Sequence, residues 1–140
     1  KMPLESAQML CTALHVSGGQ NIPYKPAYSK HPCTLWTHQS KYNFLWLCEL
    51  GLALCDEYTY RYGKIHMTDT KLRKALKQVP ANIPDIGSTK FKLAMGSNPE
   101  CIFEDAVKSY RAFYHTKEER FNLVWSKRPI PDWWQGQRLA

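Results

Sequence analysis

No stretch of this 140-residue chain approaches the roughly 18 apolar residues that a membrane-spanning helix needs, and the richest run, Tyr42 to Cys55, is broken by Glu49. Nor is there a basic start followed by an apolar core and a small-residue cleavage site, so nothing indicates secretion and a cytoplasmic setting is expected. Closely spaced cysteine pairs are missing too. The five cysteines, Cys11, Cys33, Cys48, Cys55 and Cys101, are odd in number and include no Cys-x-x-Cys, which excludes a disulfide frame and a zinc finger of the usual spacing. Cys48 and Cys55 fall seven apart in a helical pattern and are expected to fill the core. Acidic residues are scarce, 12 against 19 Lys and Arg, which leaves a formal charge of +7 and makes a polyanion the natural partner. A P-loop, a dinucleotide-binding glycine fingerprint, a Gly-x-Ser-x-Gly elbow and a His-Glu-x-x-His helix are all absent, so no reaction announces itself through a short motif. Internal repeats, low-complexity tracts and the alternating pattern of half-buried strands are absent as well.

What is present is enough apolar material to fold, with 44% hydrophobic and 13% aromatic residues. The length suits one domain, 1–140. The chain starts at Lys1 directly within a helical pattern, which leads to the expectation of a short segment upstream. Pro3 suits a first helical turn, Leu4, Ala7, Cys11 and Leu14 recur at helical spacing and Gly18-Gly19 closes the segment, so Pro3 to Val16 is predicted as the first helix. From Gly18 to Pro32, two glycines and three prolines with interleaved tyrosines and lysines predict an ordered loop, whose rings can stack on bases or anchor the loop to the core. A long helix is predicted from Thr37 to Tyr62, stopped by Gly63, with Phe44, Leu47, Cys48, Gly51, Leu54, Cys55, Tyr58 and Tyr62 in period. Trp46, Leu50 and Ala53 lie off that stripe and predict cover on more than one side. Thr68 or Asp69 is the expected cap of a third helix reaching Val79, with Leu72, Ala75, Leu76 and Val79 inward, Lys71, Arg73, Lys74 and Lys77 outward, and Pro80 ending it. Pro80 to Pro99 is predicted as a long loop able to fold over a cleft. Asn98-Pro99 starts a fourth helix carrying Phe103, Ala106, Val107, Tyr110, Phe113 and Tyr114. Thr116 and Glu119 match a capping box for a further helix with Phe121, Val124 and Trp125, after a bend near His115. The end, Lys127 to Trp134, is too rich in proline for helix and too aromatic to be idle. The fold class is therefore all-α: a compact bundle of about four to five helices around a long central helix, with long Pro-, Gly- and aromatic-rich loops.

Two features bear on function. Between Arg61 and Lys92 lie eight basic residues, Arg61, Lys64, Lys71, Arg73, Lys74, Lys77, Lys90 and Lys92, against Asp69 and Asp85, so eight minus two leaves an excess of six. The positive charge is regional, which points to DNA, although a solvated helix face has the same composition. The first helix also carries a polar stripe, Glu5, Gln8, Thr12 and His15, which either faces solvent or lines a site. Glu5 has no cation three or four residues further on and is the candidate acid; on an exposed face it needs no partner. Glu49 interrupts the apolar spine and is expected at its edge or paired. Five histidines are scattered, and only His31, Cys33 and His38 approach a ligand cluster, short of a metal set. No metal and no cofactor are expected.

The runs Lys1-Met2-Pro3-Leu4-Glu5-Ser6-Ala7-Gln8-Met9-Leu10, His31-Pro32-Cys33-Thr34-Leu35-Trp36, Leu54-Cys55-Asp56-Glu57-Tyr58-Thr59-Tyr60-Arg61-Tyr62-Gly63-Lys64 and Pro131-Asp132-Trp133-Trp134 together resemble a family of small proteins from marine phages and bacteria. Members of that family, the resemblance implies, carry an upstream segment ending in Asp-Lys-His. More distantly, Glu5, the long Thr37 to Tyr62 helix and Arg128-Pro129 with Trp133-Trp134 are similar in order and type to the phage pyrimidine-dimer DNA glycosylases of the endonuclease V type. That likeness implies a small, basic, helical enzyme in which a glutamate on the first long helix assists an N-terminal amine attacking the sugar, with a basic aromatic tail near the DNA. Leu4 and Gln8 stand where that family has arginines, and the amine would lie in the upstream segment. Carried over, an iminium would form at the anomeric carbon while Glu5 steadied positive charge and moved protons, after DNA bending and base extrusion.

The expectation is thus a double-stranded DNA-binding protein of the lesion-glycosylase and AP-lyase kind, with Glu5 as the catalytic residue and Gln8, Thr12, His15, Arg61, Lys64, Lys71, Lys74, Arg128, Trp133 and Trp134 contacting substrate. One alternative is a non-enzymatic phage module that blocks a host protein through the Tyr-rich loop and the Trp133-Trp134 tail, which requires exposed rings. Another is a metal-dependent hydrolase using His31, Cys33 and His38.

Overall fold

The computed structural model describes residues 1–77 and 82–137. Within them the chain is all-α, with five α-helices and no strand. It divides into two compact units, residues 1–91 and 92–140.

In the first unit, helix α1 spans Met2–Val16, with Pro3 in its first turn and Glu5 beside the partial positive charge of its N-terminus. Its end is held by Ser17, whose hydroxyl donates to the Ala13 carbonyl at 2.6 Å, and by Gly18, whose φ of 79° is the left-handed turn that glycine adopts without steric cost.

The helix predicted from Thr37 to Tyr62 is one helix that starts later, at Lys41, and Thr37 instead ends a separate short helix. Helix α2, Pro32–Thr37, starts from His31, whose Nδ1 accepts the Cys33 N–H at 3.1 Å, with Pro32 preset for the first turn. Helix α3, Lys41–Tyr62, starts afresh at Ser40, which is extended and whose hydroxyl accepts the Asn43 N–H. Gly63 ends α3 in the left-handed conformation, as expected.

Helix α4 is Met67–Ala75. Neither Thr68 nor Asp69 caps it. His66 does, through Nδ1 accepting the Thr68 N–H at 3.0 Å, and Thr68 and Asp69 lie buried inside the first turn. Val79 and Pro80, assigned from sequence to this helix and its end, lie outside the described residues.

Ala7, Leu10, Cys11 and Leu14 of α1, Phe44, Leu47, Cys48 and Cys55 of α3, Leu72 and Ala75 of α4, and Ile83 form the core of this unit. Helix α3 is its centre, packing against α1, α2 and α4. Gly51 permits the close crossing: a methyl group there would stand 3.0 Å from Leu72 Cδ2 and 3.7 Å from Ser6 Cβ. Off-stripe cover is partial, with Trp46 and Leu50 half-buried and Ala53 exposed.

The segment 82–91 has no helix and is strapped onto α2 and α3. Asn43, fully buried, donates from Nδ2 to the Trp36 carbonyl (2.9 Å) and to Thr89 Oγ1 (2.7 Å), while its Oδ1 accepts the Thr89 N–H (3.2 Å). The Trp36 indole N–H donates to the Thr89 carbonyl, and Phe91 stacks on Trp36 at 5.2 Å.

In the second unit, Asn98-Pro99 opens only a 3₁₀ turn, Pro99–Cys101. The helix expected there, α5, runs Ala106–Thr116 and is capped by Asp105, which accepts the Val107 N–H at 2.9 Å. Buried Ser109 ties the preceding turn down, accepting the Phe103 N–H and lying in reach of the Phe103 and Asp105 carbonyls. Phe103 therefore precedes the helix. Thr116 and Glu119 form no capping box: the Thr116 hydroxyl donates back to the Phe113 carbonyl, a 3₁₀ turn over Lys117–Glu119 follows, and Phe121, Val124 and Trp125 lie outside any helix. The aromatic end packs. Trp134 is 2% exposed, stacked on His115 at 4.5 Å and near Trp125 at 5.1 Å.

Candidate nucleic-acid interface

The site builds from α4. At 100° per residue its core side is Thr68, Leu72 and Ala75, so Thr70, Lys71, Arg73 and Lys74 point outward, followed by Lys77 just past the helix. Arginine and lysine divide here. Arg73 is held by two carboxylates, its Nε on Asp69 and its Nη2 at 3.1 Å from Asp56. The hydrogen bond that Arg73 donates to Asp69, together with the charge of that carboxylate, raises the Arg73 pKa above the usual arginine value. Arg61 pairs with Glu57 at 2.8 Å, one turn back on α3. Lys64, Lys71, Lys74 and Lys77 are exposed and have no ion pair among the described residues. Lys74 and Lys77 border an open hollow of about 790 Å³ between α3 and α4 that also takes in Asp56, Thr59, Asp69 and Arg73.

The polar stripe of α1 is largely occupied by the 18–31 loop. Thr12 is 1% exposed; its hydroxyl accepts the Ala27 N–H at 3.0 Å and lies within hydrogen-bonding distance of the Gln8 and Ala27 carbonyls. His15 Nε2 donates to the Tyr24 carbonyl at 2.9 Å. Tyr24 continues to α4, its hydroxyl 3.1 Å from Thr68 Oγ1 and its ring 4.8 Å beneath Lys71 Nζ. Tyr24 is thus an anchor, whereas Tyr28 is exposed. Gln8 is half-buried, and Glu5 is exposed without an ion pair among the described residues. Glu49 is exposed at the edge of the spine.

Arg128, Trp133 and Trp134 belong to the second unit. Arg128 lies in the turn after Trp125, bonded to its carbonyl through the backbone. Trp133 is half-buried, 5.8 Å from His115, and buried Trp134 donates its indole N–H to the Gln137 carbonyl at 2.8 Å. Of the paired rings that a host-blocking surface requires, Trp134 is not available.

His31, Cys33 and His38 do not assemble: His31 Nδ1 caps α2, and no group of three or more His, Cys, Asp or Glu side chains suited to a metal ion occurs among the described residues. The cysteines are free, and all but half-buried Cys33 are buried. Burial pushes the Cys48 thiol up to about 12 and raises Cys11, Cys55 and Cys101, so these four are packing groups rather than nucleophiles. No helix among the described residues is long and apolar enough to cross a membrane.

Sequence reasoning passed over Asp56 and Asp69 as the partners of Arg73, and over Lys108 and Arg111 on α5. The first was legible in the i, i+4 step from Asp69 to Arg73. The second had a weaker signal, two cations three apart just after Phe103. Comparison of the chain with protein-family models, with curated proteins and with solved structures found no match.

Proposed function

We propose that the chain binds double-stranded DNA through the outward face of α4 and the turn before it. The observation that carries this reading is the division of the cations on α4 and beside it: Arg61 and Arg73 are compensated by carboxylates, while Lys64, Lys71, Lys74 and Lys77 stand in solvent with no ion pair among the described residues. Hydrated ammonium groups on flexible stems suit sequence-independent contact with phosphates, where binding is driven by release of counterions. Four phosphates neutralised by four lysines correspond to a slope of log K against log salt of about −3.6, from about −0.9 per phosphate. Fluorescence anisotropy of a labelled duplex across a salt series measures it. The combined variant Lys71→Gln, Lys74→Gln, Lys77→Gln is expected to bring the slope to about −0.9. Binding independent of salt, or an unchanged slope in this variant, overturns the proposal.

A more specific form gives Glu5 the proton-handling part in base removal from ultraviolet-damaged duplex, supported by its solvent-open carboxylate on α1. Nicking of irradiated duplex by the full-length protein, and a borohydride-trapped adduct, are expected and should both fall in Glu5→Gln. Without nicking or adduct the lesion chemistry is discarded, and phosphate binding is judged on its salt slope alone.

A further inference from the structure

The second unit contains a groove lined by its own residues. Asp105, Lys108, Ala112 and His115 step three, four and three residues along α5 and share one face. They border a groove of about 360 Å³ with two aromatic walls, Phe103 from the turn before the helix and Trp133 from the tail. The tail is fixed by a neutral histidine. His115 Nδ1 donates to the Arg111 carbonyl at 2.8 Å, so Nε2 keeps its lone pair and accepts the Gln135 N–H at 3.0 Å. Trp133 is thereby held in place without a ligand.

Each wall carries a cation. Lys108 Nζ lies 4.3 Å from the Phe103 ring centroid, and the Arg111 guanidinium lies 5.3 Å from that of Trp133. Neither cation has an ion pair among the described residues, and the groove's acid, Asp105, is engaged in capping α5. Both therefore remain open to an anion, whose charge-assisted hydrogen bonds are stronger than exposed cation–π contacts. The volume lies at the small end of ligand pockets and accommodates one ring system, not two stacked ones.

We propose that this groove binds one nucleoside monophosphate unit, its base against Phe103 and Trp133 and its phosphate on Lys108 and Arg111. Flat apolar walls alone fit any ring and cations alone fit any anion; their combination in a groove of this size selects a ligand with both parts. The unit comes either as a free nucleotide or as an unpaired residue of a single strand.

The test titrates the full chain with dTMP, thymidine, inorganic phosphate and a thymidine tetranucleotide, following tryptophan fluorescence and heat. Saturable binding of dTMP is expected, with thymidine and phosphate each at least tenfold weaker. Lys108→Gln and Arg111→Gln, both at exposed positions, should each weaken dTMP about tenfold. The α4 triple variant should leave dTMP binding unchanged, which separates this groove from duplex binding. A tetranucleotide that binds more tightly than dTMP, with the same loss in Lys108→Gln, identifies a residue within a strand; equal affinity identifies the free nucleotide. No saturation by dTMP in the millimolar range, phosphate binding as tightly as dTMP, or full affinity in both α5 variants overturns the proposal.

Discussion

Asn43→Ala tests how the first unit holds its helix-free strap. The Asn43 side chain is fully buried and makes three hydrogen bonds: 2.9 Å to the Trp36 carbonyl, 2.7 Å to Thr89 Oγ1 and 3.2 Å from the Thr89 N–H. Because a carbonyl only accepts and a backbone N–H only donates, the amide has one orientation that satisfies all three. At about 1 kcal/mol net for each bond the truncation costs about 3 kcal/mol, and it strands the Thr89 N–H and the Trp36 carbonyl. Alanine's better helix propensity returns about 0.5 kcal/mol, leaving a loss of about 2.5 kcal/mol. Urea unfolding followed by tryptophan fluorescence measures this, and hydrogen exchange across residues 82–91 should show the strap opening. Asn43→Asp should be worse at neutral pH, since a buried carboxylate cannot donate to the Trp36 carbonyl. A double-mutant cycle with Thr89→Val should return a coupling of about 1 kcal/mol or more. A loss below about 1 kcal/mol in Asn43→Ala, or unchanged exchange across the strap, refutes the assignment of Asn43 as its clamp.

Thr34 is fully buried and its hydroxyl has no hydrogen-bond partner among the described residues, so Thr34→Val should stabilise by about 1 kcal/mol, seen as a rise in Tm of about 4 °C in a thermal scan. Gly51→Leu forces a side chain into the space of Leu72 Cδ2, 3.0 Å from the position of its first carbon, and should cost about 1–3 kcal/mol by urea unfolding. The Cys48 thiol stays protonated in the fold up to about 12 while the unfolded chain ionises near the ordinary value of 9.0. Its contribution is therefore complete below pH 9 and is lost between the two values, at about 1.4 kcal/mol per pH unit. Cys48→Ala should flatten the alkaline fall in stability over that window.

The longest helices were legible because burial on one side imposes a period that no other structure satisfies. Met2–Val16 and the body of Lys41–Tyr62 follow it through Ala7, Leu10, Cys11 and Leu14 and through Phe44, Leu47, Cys48 and Cys55. Their ends were harder, because caps are settled by competition between neighbouring polar groups that periodicity does not register. Two helices start from histidine, His31 and His66, acting through Nδ1, outside the residue types that ordinarily mark a start. Once His66 supplies the acceptor, Asp69 is released to pair with Arg73. Asn98-Pro99 carries the sequence signal for a helix start, yet Asp105 caps α5, where Ser109 binds the Phe103 peptide back against the helix start. The start at Ser40 was not marked by periodicity because the apolar period sets in only at Phe44, and the bonds that Asn43 makes beside it reach Thr89, 46 positions away in the chain.

The charge of the candidate interface was legible as a sum but not as a distribution. Counted over residues 61–92 the excess is six, yet α3 brings Asp56 and Glu57, outside that window, against Arg73 and Arg61. What remains for a ligand is lysine. Arg73 then matters through what it neutralises: without it, Asp56 and Asp69 face the hollow that Lys74 and Lys77 border. If α4 meets phosphates, Arg73→Gln should weaken duplex binding more than Lys71→Gln does, because it removes one positive charge and also exposes two carboxylates to the approaching polyanion. Anisotropy at low salt compares the two variants, with circular dichroism to confirm that α4 persists. Equal losses would mean that those carboxylates lie away from the DNA, and the lysines of the hollow with them.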